Sequence, residues 1–185
     1  MTEPLKIGVS FAVEGPAADD CALINATIDQ RHGSLVRYGE RGNSGPHVTI
    51  ALGTIDVGDL DAVIAILAEA VPRLEPFVLR FGAPQRETVT GQYVLADVSA
   101  PVAVLSWRAS VSAAIATLMS SLSRTTGEPH LTLAVVEDHF DDVDRLLARS
   151  TARVRDCAVR SIDVAHAGPK GIKGDLIQRF ALNDD

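Results

Sequence analysis

The chain has 185 residues, 46% of them apolar, enough to bury one compact domain or two small lobes around a shared core. Its formal net charge is −7, from 17 Lys and Arg against 24 Asp and Glu. That balance argues against broad adhesion to nucleic-acid backbone, which needs clustered basic side chains.

No window approaches the roughly eighteen unbroken apolar residues of a membrane span, and residues 1–6 lack the charged-then-apolar pattern of a signal peptide. The expectation is a cytoplasmic protein without membrane contact. Cys21 and Cys157 form neither a paired metal motif nor a disulfide framework, and read as reduced, buried apolar fillers. Acid is unevenly spread: residues 1–100 carry 7 basic and 13 acidic side chains, and 101–185 carry 10 and 11. An anion must therefore be drawn by a local pocket rather than by the whole surface.

Residues 5–13 alternate, with Ile7, Val9, Phe11 and Val13 on one face and the small Gly8, Ser10 and Ala12 on the other, the pattern of a half-buried strand. Gly15-Pro16 breaks it and opens a helix to about residue 31, with an apolar stripe of Cys21, Ile24 and Ile28. Residues 34–38 suggest a short strand. Residues 39–45 contain three glycines and lack phosphate-loop spacing, so they read as a connection, with Tyr38 and Arg41 as candidate rim contacts. After a strand at 46–52, periodicity predicts a helix over 57–71, ended by Pro72. A strand at 76–81, a turn at 82–90 carrying Arg86 and a strand at 91–99 follow.

The second half repeats this order. Pro101 opens a helix predicted to run to about residue 122, a strand follows at 129–135, and 138–150 is a helix with acid at its start and Arg149 at its end, as the helix dipole favours. Strand at 153–167, a glycine-rich turn at 168–174 and strand at 175–182 complete the chain. The pairs His47/His130, Asp59/Asp142, Asp61/Asp144 and Gly91/Gly174 are each 83 positions apart, which suggests internal duplication. The predicted class is α+β: one bilobal, pseudo-symmetric domain over 1–185, with repeats of about 1–100 and 101–185, antiparallel sheets lining a central cleft and helices outside.

Two segments organise the rest: Pro46-His47-Val48-Thr49-Ile50 and Pro129-His130-Leu131-Thr132-Leu133. Their alternation predicts strands with Val48, Ile50 and Leu52, or Leu131, Leu133 and Val135, toward the core. His47 and Thr49, and likewise His130 and Thr132, then share the opposite face. Two imidazoles can take and give a proton near neutral pH, and two hydroxyls can hold anionic oxygens. That set suits cleavage of a phosphodiester without metal.

Paired His-x-Thr-x motifs, one per half of a chain of this length, resemble the 2H phosphoesterase superfamily, whose best-known branch comprises the RNA 2',3'-cyclic phosphodiesterases, also called 2'-5' RNA ligases. The resemblance implies a bilobal fold with one motif on each lobe lining the cleft. It further implies His47 and His130 as acid and base, and Thr49 and Thr132 as phosphate ligands.

Lys170 and Lys173, set among glycines, and Arg86 in the equivalent turn of the first half are candidates for further phosphate contacts. Tyr38 is a candidate substrate contact. His139 and His166 read as solvated surface, His166 with a rim role beside the Lys170/Lys173 turn as the lesser alternative. No His-x-x-x-His or Cys-x-x-Cys pair occurs, and no Gly-x-Ser-x-Gly elbow, so neither a metal, a cofactor nor a serine nucleophile is expected. The expected partner is a small nucleotide, or an RNA 3' end bearing a cyclic phosphate, bound by a monomer. Which histidine is the base, and whether the same pocket serves a non-catalytic nucleotide- or phosphate-binding module, both stay open at the level of sequence.

Overall fold

The computed structural model describes residues 3–40, 42–122 and 127–182, so Arg41 lies outside the described residues. Alternating apolar residues build the strands β1 (Pro4–Ala12), β2 (His47–Asp56), β3 (Phe77–Phe81), β4 (Gln85–Arg86), β5 (Tyr93–Ser99), β6 (Met119–Leu122), β7 (His130–Val135), β8 (Cys157–Val159), β9 (Ser161–Ala167) and β10 (Lys173–Ala181). Stripes at helical spacing build α1 (Pro16–His32), α2 (Leu60–Ala70), α3 (Val102–Ala116) and α4 (Phe140–Arg149).

All described pairings are antiparallel, and the sheet runs β10-β9-β1-β2-β7-β5-β3-β8, with β4 beside β5 and β6 beside β2. The fold is α+β, as the sequence pattern predicts. Its two sides meet at the β2–β7 seam, where Val48↔Leu131 is the backbone pair between the motif strands. Outward from that seam, each side begins with a motif strand and then a strand that leads into a helix: β1 into α1, β5 into α3. The two sides do not coincide with the first and second halves of the chain, because β9 and β10 join β1 and β2.

The core lies between the sheet and the helices. Ile7, Val9 and Phe11 of β1 are at most 1% exposed and share it with Cys21, Ile24 and Ile28 of α1, Val63 and Leu67 of α2, and Val111 and Ile115 of α3. Helix α1 packs on β7 and α3 on β2, so each of these two helices braces the motif strand of the other side. Burying such side chains contributes on the order of 1.5–3 kcal/mol each relative to exposure.

Three predicted elements differ; the strand expected over 153–167 is two, β8 paired with β3 and β9 with β1. Residues 34–38 are not a strand, because side chains take the backbone bonds a ladder would need. Asn25 Nδ2 donates to the carbonyls of Val36 (2.8 Å) and Leu133 (2.9 Å), its Oδ1 accepts from Tyr38 N (3.2 Å), and Asn43 Nδ2 donates to Leu35 O (2.8 Å). The helix after Pro101 stops at Ala116 rather than near 122, since Met119–Leu122 pairs with the distal part of β2. There β2 has run past its contact with β7 and leaves an edge to be covered.

Candidate active site

On β2, Val48 and Ile50 are fully buried while His47 and Thr49 are half-buried on the opposite face. On β7, Leu131 and Leu133 are fully buried, Thr132 is half-buried and His130 is exposed. The antiparallel register through Val48↔Leu131 sets His47 across from Thr132 and Thr49 across from His130. Directly opposed residues have Cβ atoms about 4.5–5.5 Å apart, so each imidazole stands beside the other motif's hydroxyl. The two motifs therefore lie side by side in one sheet, not face to face from opposing sheets.

Each motif carries a β-bulge at the same place. The register of β2 against β1 jumps from Val9↔Ala51 to Ser10↔Thr49, which leaves Ile50 unpaired; that of β7 against β5 jumps from Val94↔Ala134 to Leu95↔Thr132, which leaves Leu133 unpaired. A bulge reverses the alternation beyond it. Leu52, predicted to face the core, instead lines the pocket with His47 and Thr49.

Both imidazoles are oriented in the same way. His47 Nδ1 lies 2.7 Å from the Gly45 carbonyl and His130 Nδ1 lies 3.1 Å from the Glu128 carbonyl, again 83 positions apart. A carbonyl only accepts, so each Nδ1 carries the proton in the neutral ring and each Nε2 is left for chemistry. Burial pushes the His47 imidazole down to about 4, with the charges of Lys173 and His130 acting in the same direction; the Gly45 bond and Asp163 oppose them. His47 is therefore neutral in the free protein at neutral pH.

The pocket extends from His47 and Thr49 over a floor of small residues, Gly8, Ala165 and Ala167, toward Ile172 and Lys173 at the start of β10, with Ser10 and His166 also in its wall. Of the predicted outlying contacts, Lys173 is the one brought here; its ammonium lies 2.5 Å from Asp163 Oδ2. Lys170 donates to Gln92 Oε1 (2.6 Å). Arg86 donates to both carboxylate oxygens of Asp144 (2.9 and 2.5 Å) and lies over the Phe140 ring. Tyr38 donates its hydroxyl to the Thr132 carbonyl (2.6 Å), bracing the second motif from outside the pocket; burial pushes that phenol up. None of these three lines the pocket.

Arg108, on the apolar helix α3, is a residue that the sequence pattern did not single out. Its Nε donates to the Thr49 carbonyl (2.9 Å), and its terminal nitrogens lie 3.4 Å from the Gly127 carbonyl. It thus ties β2 to the segment that leads into β7, and burial holds its guanidinium below the usual value. A charged side chain amid helical apolar residues was the available signal. Among the described residues, no cluster of three or more His, Cys, Asp or Glu could hold a metal ion, and no helix is long and apolar enough to cross a membrane.

A family model described as the 2'-5' RNA ligase superfamily matches residues 23–166. The chain belongs to this superfamily of phosphoesterases. Solved structures agree on the fold. TT0787 of Thermus thermophilus superposes with a TM-score of 0.68 at 14% identity, over 96% of this chain and 98% of that one. E. coli LigT complexed with 3'-AMP gives 0.62 at 14% over 98% and 100%, and Kluyveromyces marxianus Usb1 with uridine monophosphate gives 0.55 at 12% over 96% and 97%. No curated protein shows significant similarity. Within the superfamily fold, the matched region contains both His-x-Thr motifs.

Proposed function

We propose that this protein is a metal-independent phosphodiesterase that hydrolyses a 2',3'-cyclic phosphate, or a 2'-5' linkage, of a small nucleotide or of the terminal nucleotide of an RNA. The observation that carries this reading is the square of His47, Thr132, Thr49 and His130, in which both Nε2 atoms are left for proton transfer by equivalent Nδ1–carbonyl bonds. The nucleotides complexed with LigT (3'-AMP) and Usb1 (uridine monophosphate) support a nucleotide as the ligand class.

In this mechanism His47 Nε2 takes a proton from water, the water oxygen attacks phosphorus, and the departing ribose oxygen takes the proton from His130 Nε2. Thr49 and Thr132 donate to the nonbridging oxygens, whose charge grows in the transition state. His47 is assigned the base because it is neutral when free. A bound phosphate then raises its basicity, since a nearby anion favours the imidazolium. With a 5'-hydroxyl in place of water as nucleophile, the same groups would join it to the phosphorus of the cyclic phosphate, the 3' oxygen departing with the proton from His130, and so form a 2'-5' linkage as a secondary activity.

The test is release of a phosphomonoester from 2',3'-cyclic AMP, followed by phosphorus NMR with EDTA present. Turnover lost in both His47→Ala and His130→Ala supports the reading. Binding without turnover makes the pocket a nucleotide-binding module, and turnover abolished by EDTA refutes the metal-free mechanism.

A further inference from the structure

Asp163 has no place in the acid/base scheme, yet it is the one charged side chain among the described residues that is fully buried. It stands on β9 across from Ser10 of β1, which stands across from Thr49, so a single cross-strand row connects it to the site. A buried carboxylate is tolerated only when paired. Arg179 alone supplies that pairing in a fork, Nε to Oδ1 at 2.7 Å and Nη2 to Oδ2 at 2.8 Å. Burial by itself would raise the Asp163 carboxyl, but the bonds from Arg179 and Lys173 prevail and hold it below its usual value.

Lys173 is the second cation on a carboxylate that one guanidinium already satisfies. Its side chain is 14% exposed and lines the pocket of His47, Thr49 and Ser10. An ammonium has three donors, and Asp163 occupies one. The Lys173 backbone N–H also donates to Ser44 Oγ (3.0 Å), next to the Gly45 whose carbonyl orients His47.

We propose that Asp163 is a positioning residue, which aims the Lys173 ammonium at an anionic oxygen of the phosphate held beside His47 and Thr49. The inference rests on the phosphodiesterase reading of the site. A lysine carries a compact charge on a flexible four-carbon stem, so anchoring one donor on a buried carboxylate removes rotamers before the substrate arrives. The other flank is built oppositely. Asp97 is the residue across from His130, and its carboxylate accepts from Gln85 Nε2 (2.9 Å). A nonbridging oxygen is therefore drawn to the His47 flank, which leaves the departing ribose oxygen toward His130. The charged groups around His47 are Lys173 from β10, Asp163 from β9 and His130 from β7, with His166 in the same pocket wall.

The experiment is a double-mutant cycle on Lys173→Met and Asp163→Asn, read by kcat/KM for 2',3'-cyclic AMP and by NMR titration of inorganic phosphate against the His47 resonance. Each single variant should lose about 10- to 100-fold in kcat/KM and bind phosphate about tenfold more weakly, and the double variant should be no worse than Lys173→Met alone. Without ligand, Lys173→Met should raise the midpoint of the His47 titration, because a repelling cation is gone. Should Asp163→Asn fail to fold by circular dichroism, Asp163→Glu, which keeps the charge and moves it, goes through the same cycle. A further tenfold loss from the Asp163 change in the Lys173→Met background would overturn the proposal, as would unchanged phosphate binding in Lys173→Met. Absence of wild-type turnover refutes the phosphodiesterase reading, while the phosphate and His47 titrations still decide the roles of Asp163 and Lys173.

Discussion

Ile50 and Leu133 are the unpaired residues of two β-bulges, one in each motif strand and 83 positions apart. Each follows its threonine directly, so the strand reverses its facing just beyond the His-x-Thr triplet. Beyond the bulge on β2, Leu52 turns from the core to the pocket wall. The same local device thus gives both triplets a common presentation while their surroundings diverge: His47 is half-buried near Lys173, and His130 is exposed across from Asp97.

That divergence gives the histidines separate tasks. Removing a general acid or base costs about 10²- to 10⁴-fold, so His47→Ala and His130→Ala should each nearly abolish turnover of 2',3'-cyclic AMP, and the double variant should be little worse than either. Retention of more than about a tenth of wild-type kcat by either single variant would show that its imidazole moves no proton in the slow step.

The threonines should act on the transition state. Thr49→Val and Thr132→Val keep a β-branched side chain suited to a strand and remove only the hydroxyl, so kcat should fall by about 10- to 1000-fold with little change in melting temperature. Normal kinetics with a lowered melting temperature would assign the hydroxyls to structure alone.

The pH profile follows from the burial of His47. With its free-protein value pushed down to about 4, His47 is a competent base at all pH above that point, so kcat/KM should hold a plateau down to about that pH on the acid side. Bound phosphate favours the imidazolium, so the acid limb of kcat should lie at higher pH than that of kcat/KM. Stability carries the same sign. The unfolded chain, with an ordinary imidazole near ~6.5, binds the proton first, so folding stability should be fully present above that value and fall between about 6.5 and 4, by up to about 3 kcal/mol. Urea midpoints at pH 7 and pH 4.5 for wild type and His47→Gln check this; equal pH dependence in both would remove His47 as the cause.

Much of this was legible in the sequence because alternation and helical spacing are local signals. The strands at 5–13, 46–52 and 129–135 and the four helices follow from them. The side-by-side packing of the motifs is not local, because it depends on β2 and β7 meeting edge to edge. The bulges at Ile50 and Leu133 escape periodicity because one inserted residue in an apolar run leaves the run apolar. Residues 34–38 look extended and apolar enough for a strand, but the bonds that decide their state come from Asn25 and Asn43. Asp163 could not be singled out as an anchor before the hairpin of β9 and β10 brought Lys173 and Arg179 onto it.

Arg108 should prove to hold the seam together. Arg108→Met removes the donor to the Thr49 carbonyl and loosens the link to Gly127, so it should lower kcat for cyclic phosphate by about tenfold and stability by about 1–3 kcal/mol, the cost of leaving a buried acceptor unpaired. Arg108→Lys should not restore either, because an ammonium cannot reach two carbonyls in the plane of a guanidinium fork. Full activity in Arg108→Lys would reduce the residue to a surface-charge role.

The size of the recognised unit is set by charge. An enzyme that grips several nucleotides presents a basic track, and its affinity falls steeply with salt as counterions are released. Here Lys173 and Arg179, the cations on the His47 flank, are already paired: both converge on Asp163, and Arg179 also donates to Glu14 at 2.8 Å. On the other flank Asp97 faces His130, and Arg86 is taken up by Asp144. Lys173 therefore offers one phosphate its remaining donors, while the net charge of −7 repels a long polyanion. The value of kcat/KM for 2',3'-cyclic AMP should accordingly lie within about tenfold of that for a ten-nucleotide RNA ending in the same cyclic phosphate. The oligomer's KM should change little between about 50 and 200 mM salt, since few phosphates are neutralised. A preference for the oligomer above about a hundredfold, lost at high salt, would require a basic path along the groove that these ion pairs do not leave open.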